Sequence, residues 1–254
     1  MTDEVNTPSE NHARYSIQAE WTAELRTQIL SHLQIGNHQK LLEVGSGTGV
    51  IAASIANDTG SRVFGADIDA RATSFAHRHY PGIHFTIADG HSLPFASNSL
   101  EAAFCHFLLL WVDDPPSIIR EMQRVVKPGG WLIAFAEPDY GARIDYPREL
   151  ERIGALQIDA LEDAGANTHT GRRLRDLFST IGLKAVSSGV LGAEWKPQMD
   201  ERLIRSEWLT LRADLKGLIS ESELNRLEQA DLQAWNDQSR ILFVPTFYAY
   251  GQVR

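Results

Sequence analysis

The stretch that most constrains this chain is a short apolar run stopped by glycines. Leu41-Leu42-Glu43-Val44 halts at Gly45-Ser46-Gly47-Thr48-Gly49, and residues 50–57 then follow a helical pattern. A strand that turns through bare glycine into a helix opens an α/β unit, because glycine reaches positive φ freely and lets backbone approach a ligand. The alternation then repeats. Strands are expected at 62–67, 83–89, 100–110 and 131–136, with helical segments at 69–78 and 115–126. In the second helix Ile118, Ile119, Met122, Val125 and Val126 share a face, and Pro128-Gly129-Gly130 closes it. Such alternation predicts a parallel sheet with helices on both faces, and ligands in such sheets bind beyond the carboxyl ends of the strands. On that edge fall the glycine loop, Asp67, Asp89, His106 and Glu137-Pro138-Asp139.

The loop also excludes ligands. A dinucleotide fingerprint needs glycine at the first, third and sixth positions, and the sixth here is Val50. No GKS or GKT triplet makes a phosphate loop, and Glu43 before the turn would repel a diphosphate. Asp67 lies about 20 residues beyond the first glycine, the offset at which a carboxylate accepts ribose hydroxyls. Asp89 falls where a carboxylate can accept a hydrogen from an adenine amino group. An adenosine carrying positive charge and no phosphates fits this set best.

These residues also carry a resemblance. The glycine-loop stretch 41–49, Gly65-Ala66-Asp67-Ile68-Asp69, Ala88-Asp89-Gly90, Leu93-Pro94-Phe95 and Arg124-Val125-Val126-Lys127-Pro128-Gly129-Gly130-Trp131 resemble, in order and spacing, the motifs of class I S-adenosylmethionine-dependent methyltransferases. The resemblance covers roughly residues 38–138, and Leu100-Glu101 departs from it where the family usually has an aromatic followed by Asp. It implies a Rossmann-like, doubly wound α/β sheet of seven mostly parallel strands, the last antiparallel, with helices on both faces and a helical cap. It implies S-adenosyl-L-methionine as cofactor. Gly45, Ser46, Gly47 and Gly49 would line its methionine portion, with Glu43 near the amino group. Asp67 would hold the ribose, Ile68 would flank the adenine, Asp89 and Gly90 would meet the adenine edge, and the backbone around His106 would close the pocket.

The expected organisation is a disordered tail over 1–12, a core over 13–193 with an N-terminal lid helix, a helical insert over 194–239 and a final strand over 240–254. The lid helix, 15–33, carries Tyr15, Gln18 and Trp21 as possible contacts over the cofactor. Segment 184–191 is the expected sixth strand, and Ser220 with Glu223 could form a capping box.

With 24 Lys and Arg against 33 Asp and Glu the net charge is −9, which disfavours nucleic-acid and membrane-surface partners. A polar N-terminus and the lack of any apolar stretch of about 20 residues lead to a cytoplasmic expectation. The single cysteine, Cys105, excludes an internal disulfide and a Cys-based zinc site. His77 and His79 face apart on a helix and His84 brings no acidic neighbour, so no metal site is expected.

Three groups at the sheet edge could remove a proton from an acceptor: His106, whose ordinary pKa suits the task, Asp139 and Tyr140. Tyr140 and Tyr146 could also wall an acceptor pocket, as could Trp195, Trp208, Phe243 and Phe247. The leading expectation is methyl transfer to a small, apolar or aromatic acceptor. A non-catalytic cofactor-binding regulator shares every motif, and a nicotinamide oxidoreductase is disfavoured by Val50 and Glu43.

Overall fold

The computed structural model describes residues 7–195 and 200–254. The chain opens with α1 (Pro8–Trp21) and α2 (Ala23–His32), then β1 (Lys40–Val44), α3 (Val50–Thr59), β2 (Arg62–Asp67), α4 (Ala70–His79) and β3 (His84–Ile87). It continues through β4 (Leu100–Cys105), α5 (Pro115–Val125), β5 (Val126–Pro138), β6 (Ile144–Tyr146), α6 (Glu151–Asp163), α7 (Thr170–Thr180) and β7 (Lys184–Val190). Last come α8 (Glu201–Asp214), α9 (Glu221–Asn236), β8 (Ile241–Phe243) and β9 (Thr246–Gln252). Seven strands form one sheet in the order β3-β2-β1-β4-β5-β9-β7; β9 runs antiparallel to β5 and β7, and the other pairings are parallel. The order reverses between β1 and β4, which places the ligand crevice at their carboxyl ends.

Alternating side chains build two cores. Leu42, Val44, Ala103, Cys105, Leu132 and Ala134 pack against the apolar faces of α5 and α7, including Ile119, Met122 and Phe178. Leu41, Phe104, Ile133 and Phe135 point the other way, onto Ile29 and Leu30 of α2 and Ile51 and Ile55 of α3. Phe104 and Phe135 meet edge to face at 5.5 Å. Cys105 is buried, and desolvation pushes its thiol well above the ordinary value, so it behaves as a small apolar group.

The remaining third forms a lobe of its own. Leu150 and Ile153 meet Ile204, Trp208 and Leu211 of α8 and Leu227 of α9 in a separate cluster. Under it, β6 and β8 pair as a two-stranded sheet.

Several boundaries differ from the sequence reading. Residues 8–12, expected as tail, are helical because Thr7 and Glu10 close a reciprocal capping box; the rest of that tail, residues 1–6, lies outside the described residues. The lid helix is two helices, broken at Thr22, whose hydroxyl turns back to the Ala19 carbonyl (3.3 Å). The expected final strand splits at Val244-Pro245, since proline offers no N–H to the ladder, and its first part leaves to pair with β6. Ser220 caps α9 through Glu223 N–H (3.3 Å), but the Glu223 carboxylate turns to Arg226 and Arg152 instead of closing the box.

Phe104→Ala empties the centre of one core, and its cost should be about 3–5 kcal/mol, read as a lower urea midpoint at unchanged slope.

Candidate active site

The glycine loop hangs from β2 by its backbone: Gly45 and Ser46 N–H groups both donate to the Ala66 carbonyl (2.8 and 3.1 Å). Gly45, Gly47 and Gly49 take φ of 74°, 48° and 83°, a region that side chains rarely adopt. Their surroundings separate their roles. A Cβ at Gly45 would strike Leu108 (2.7 Å) and one at Gly49 would strike Phe85 (2.6 Å), whereas at Gly47 the nearest atom is the Tyr15 ring at 3.5 Å. Gly47 is the open one. Asp67 at the end of β2 locks the loop, accepting from Gly47 N–H (2.6 Å) and from Asp69 N–H (2.8 Å).

Beneath Tyr15 lies a cavity of about 290 Å³. Glu43, Gly45, Ser46, Gly47 and Asp67 form one side of it; Arg14, Tyr15 and Gln18 of α1 face them, and His106, Phe107 and Leu108 after β4 close a third side. Burial raises the Glu43 carboxyl well above its ordinary value and raises Asp67 as well; the Ala52 backbone and Arg26 offset Glu43's shift only in part. Three residues of the cavity wall carry a buried polar atom with no hydrogen-bond partner, Glu43 Oε2, Ser46 Oγ and Arg14 Nε, and Arg26 Nε is a fourth such atom among the described residues. Orphaned buried groups of both signs are costly unless a ligand completes them. A zwitterionic amino acid end, with an ammonium for Glu43 and a carboxylate for Arg14, matches the set in charge.

A second, larger cavity of about 580 Å³ adjoins the first. Phe107 borders both, and Thr22 in the second bonds His106 Nε2 of the first at 2.9 Å. Its walls include Trp21, Trp195, Trp235 and Phe243, with Glu207 of α8 among the polar groups.

Thus Glu43, Gly45, Ser46, Gly47, Asp67 and His106 meet around one space. Four other expected cofactor contacts do not reach it. Gly49 and Gly90 are not among its lining residues, and a Cβ on them would strike Phe85 and Ile118 respectively. Ile68 is 72 % exposed, and the Asp89 side chain, 53 % exposed, curls back to His91 N–H (2.9 Å) and Nδ1 (2.7 Å).

The expected bases change character. Burial, reinforced by Arg26, pushes His106 down to about 3, so it stays neutral and lacks the near-neutral pKa that recommended it. Asp139 is buried, held by Nε and Nη2 of Arg172 (the latter at 2.7 Å), and lines neither cavity. Tyr140 does line the smaller cavity, but burial pushes its phenol up, while Tyr146 is exposed outside both cavities. Of the expected aromatic walls, Trp195 and Phe243 line the larger cavity, and Trp208 is core of the lobe.

Residues 42–134 match the family model for a methyltransferase domain. Over that stretch the chain is similar to methyltransferases, in agreement with the motifs read from its sequence. It is 37 % identical over 105 residues to a demethylmenaquinone methyltransferase of Renibacterium salmoninarum, covering 41 % of this chain and 44 % of that protein. It is 29 % identical over 177 residues to a ubiquinone/menaquinone biosynthesis C-methyltransferase of Desulfotalea psychrophila, covering 61 % and 72 %. The match therefore spans less than half of the Renibacterium protein. Among solved structures the fold resembles a geranyl diphosphate C-methyltransferase of Streptomyces coelicolor bound to S-adenosyl-L-homocysteine, at TM-score 0.55 and 18 % identity over 91 % of this chain and 76 % of that one. No described helix is long and apolar enough to cross a membrane.

One residue that the sequence places on the ligand edge shapes the site in a way its position alone does not reveal. Glu137, fully buried, accepts from Leu108 N–H (3.0 Å), Leu109 N–H (2.9 Å) and Leu110 N–H (3.2 Å), and so folds the turn that carries Phe107. Desolvation lifts it from 4.5 to about 7 despite those donors. The folded chain therefore holds this proton more tightly than the unfolded chain, and stability falls as pH rises from 4.5 towards 7. The loss attributable to Glu137 should be of order 3 kcal/mol. Urea melts at pH 5 and pH 8 should differ by about that much more in the wild-type chain than in E137Q, since Glu43, Asp67 and Glu207 are raised in both.

Proposed function

We propose that this chain transfers the methyl group of S-adenosyl-L-methionine to a small acceptor with an apolar or aromatic body, seated in the larger cavity. The observation that carries the reading is the meeting of two cavities at Phe107: one is a polar, glycine-lined slot and the other an aromatic chamber. A ligand in each would have its reactive end at the shared wall.

In this reading Glu43 and Arg14 take the ammonium and carboxylate of the cofactor's amino acid end, Gly47 gives its chain close approach, and Asp67 accepts from the ribose. Asp67 is already fixed by two backbone donors, so little ordering remains to be done on binding. The bound cofactor supplies a sulfonium-activated methyl group, and the protein's task is alignment of the acceptor and exclusion of water. Neutral His106 suits a wall beside a cation, since an imidazolium there would repel it. Tyr15 and Gln18 of α1 close the slot from above. The aromatic chamber is compatible with a ring of the kind that the names of the quinone-pathway relatives imply for those proteins.

Incubation with cofactor labelled in the methyl group and a panel of aromatic acceptors should give labelled product and S-adenosyl-L-homocysteine. Asp67→Asn turns an amide donor towards Gly47 N–H, and its dissociation constant for S-adenosyl-L-homocysteine should rise by about tenfold or more. Tight cofactor binding with no product from any acceptor would leave a binding protein rather than an enzyme.

A further inference from the structure

Where the lobe meets the core, a buried ion network fails to balance. Arg240 binds Asp145 (2.7 Å) and Asp231 (2.5 Å), and Arg143 binds Asp145 (2.6 Å) and Gln157. Asp231 takes a further bond from Trp208 Nε1 (2.8 Å). Glu207 is the third carboxylate against these two guanidiniums. Among the described residues its one ion pair is with Arg143, at 3.8 Å, with Arg240 acting on it from further off, and its side chain, 23 % exposed, borders the larger cavity. The other network members at this junction, Arg143, Arg240, Asp145 and Asp231, are 6 % exposed or less. The network therefore leaves one negative charge short of a partner and turns it towards the chamber.

The chamber is built for positive charge in a second way. Trp21, Trp195, Trp235, Phe107 and Phe243 supply aromatic faces, which attract cations most strongly where water is excluded. None of its described lining residues is Lys, Arg or His. Among the described lining residues an anionic acceptor would meet carboxylates and no cation, and a neutral one would leave Glu207 uncompensated.

We propose that the acceptor is an alkylamine with an apolar body, held as its cation between these aromatic faces and Glu207, which then takes the proton that the nitrogen must lose. This rests on the methyl-transfer reading above. The ammonium N–H proton passes to the Glu207 carboxylate and leaves a lone pair on nitrogen. That pair forms the nitrogen–carbon bond as the carbon–sulfur bond breaks and its electrons go to sulfur. The product is an N-methylammonium, and the proton on Glu207 leaves to water as the product departs. Burial raises the Glu207 pKa, which favours its holding a proton for the duration of the step.

The test separates binding from turnover. Phenyltrimethylammonium and its uncharged isostere tert-butylbenzene are titrated against the whole chain by tryptophan fluorescence. The cation should bind at least about tenfold more tightly. Glu207→Gln should bring the two within about threefold of each other, and Glu207→Asp, which keeps the charge, should retain most of the preference. Matching thermal melts for the two variants exclude misfolding as the cause. With cofactor present, 2-phenylethylamine should yield N-methyl product and 2-phenylethanol none. Equal binding of the isosteres, undiminished selectivity in E207Q, or methylation of the alcohol in preference to the amine would each overturn the proposal. Selective cation binding with no product from any acceptor supports the amine site and counts instead against methyl transfer.

Discussion

Reversal of strand order between β1 and β4 sends their connecting helices to opposite faces and leaves the ends of these two strands uncovered. Everything at the site follows from what the chain puts into that gap. From β1 it puts a glycine loop, and from β4 a turn fastened by the buried Glu137 carboxylate. The first can be approached closely because it has no side chain at Gly47; the second is rigid because three successive N–H groups share one acceptor. A slot with one side of bare backbone and another side held in place needs little further ordering when it takes a ligand.

That rigidity has a cost. Glu43, Asp67 and Glu137 are carboxylates kept from water within one region, and burial raises all three. Glu137 is compensated by backbone donors, and Asp67 partly so, but Glu43 keeps an oxygen without a partner. The two faces of the sheet supply the stability that tolerates this, through apolar layers in which the larger side chains, Phe104, Phe135 and Phe178 among them, are almost fully enclosed. An uncompensated carboxylate in such a setting favours a cationic ligand over a neutral one of the same shape, which is the selectivity a sulfonium cofactor requires.

The sequence made the sheet legible and the site only partly so, for a physical reason. Period-two alternation and glycine punctuation fix where strands end, so Glu43, the loop, Asp67 and His106 were placed on the right edge. Whether a side chain at that edge turns inward depends on neighbours distant in sequence. Asp89 and Ile68 sit at matching depth yet point outward, and Asp139 is drawn away by Arg172, 33 positions on. No local pattern reveals that His106 is buried, with Arg26 acting on it, so its lowered pKa is invisible in the sequence. The lobe was least legible. Strand β6 is three residues long, and its partner β8 reads as the start of the last core strand, because nothing local distinguishes the two fates of the segment before Pro245.

The lobe also explains how one cofactor slot can serve a particular acceptor. Its apolar cluster of Trp208, Leu211 and Leu227 fixes α8 and α9, and the ion network beneath ties them to β6 and β8. Buried networks of this kind add little net stability, since desolvation offsets most of the attraction; what they confer is a fixed arrangement. Here that arrangement holds Glu207 at the chamber while its neighbours are satisfied among themselves. Arg14 and Asp214 then bring α1 and α8 to the same rim of the smaller cavity, so the lid and the lobe share a boundary. Displacing α8 would disturb both cavities together, since Thr210 and Asp214 line the smaller and Leu203, Ile204 and Glu207 the larger.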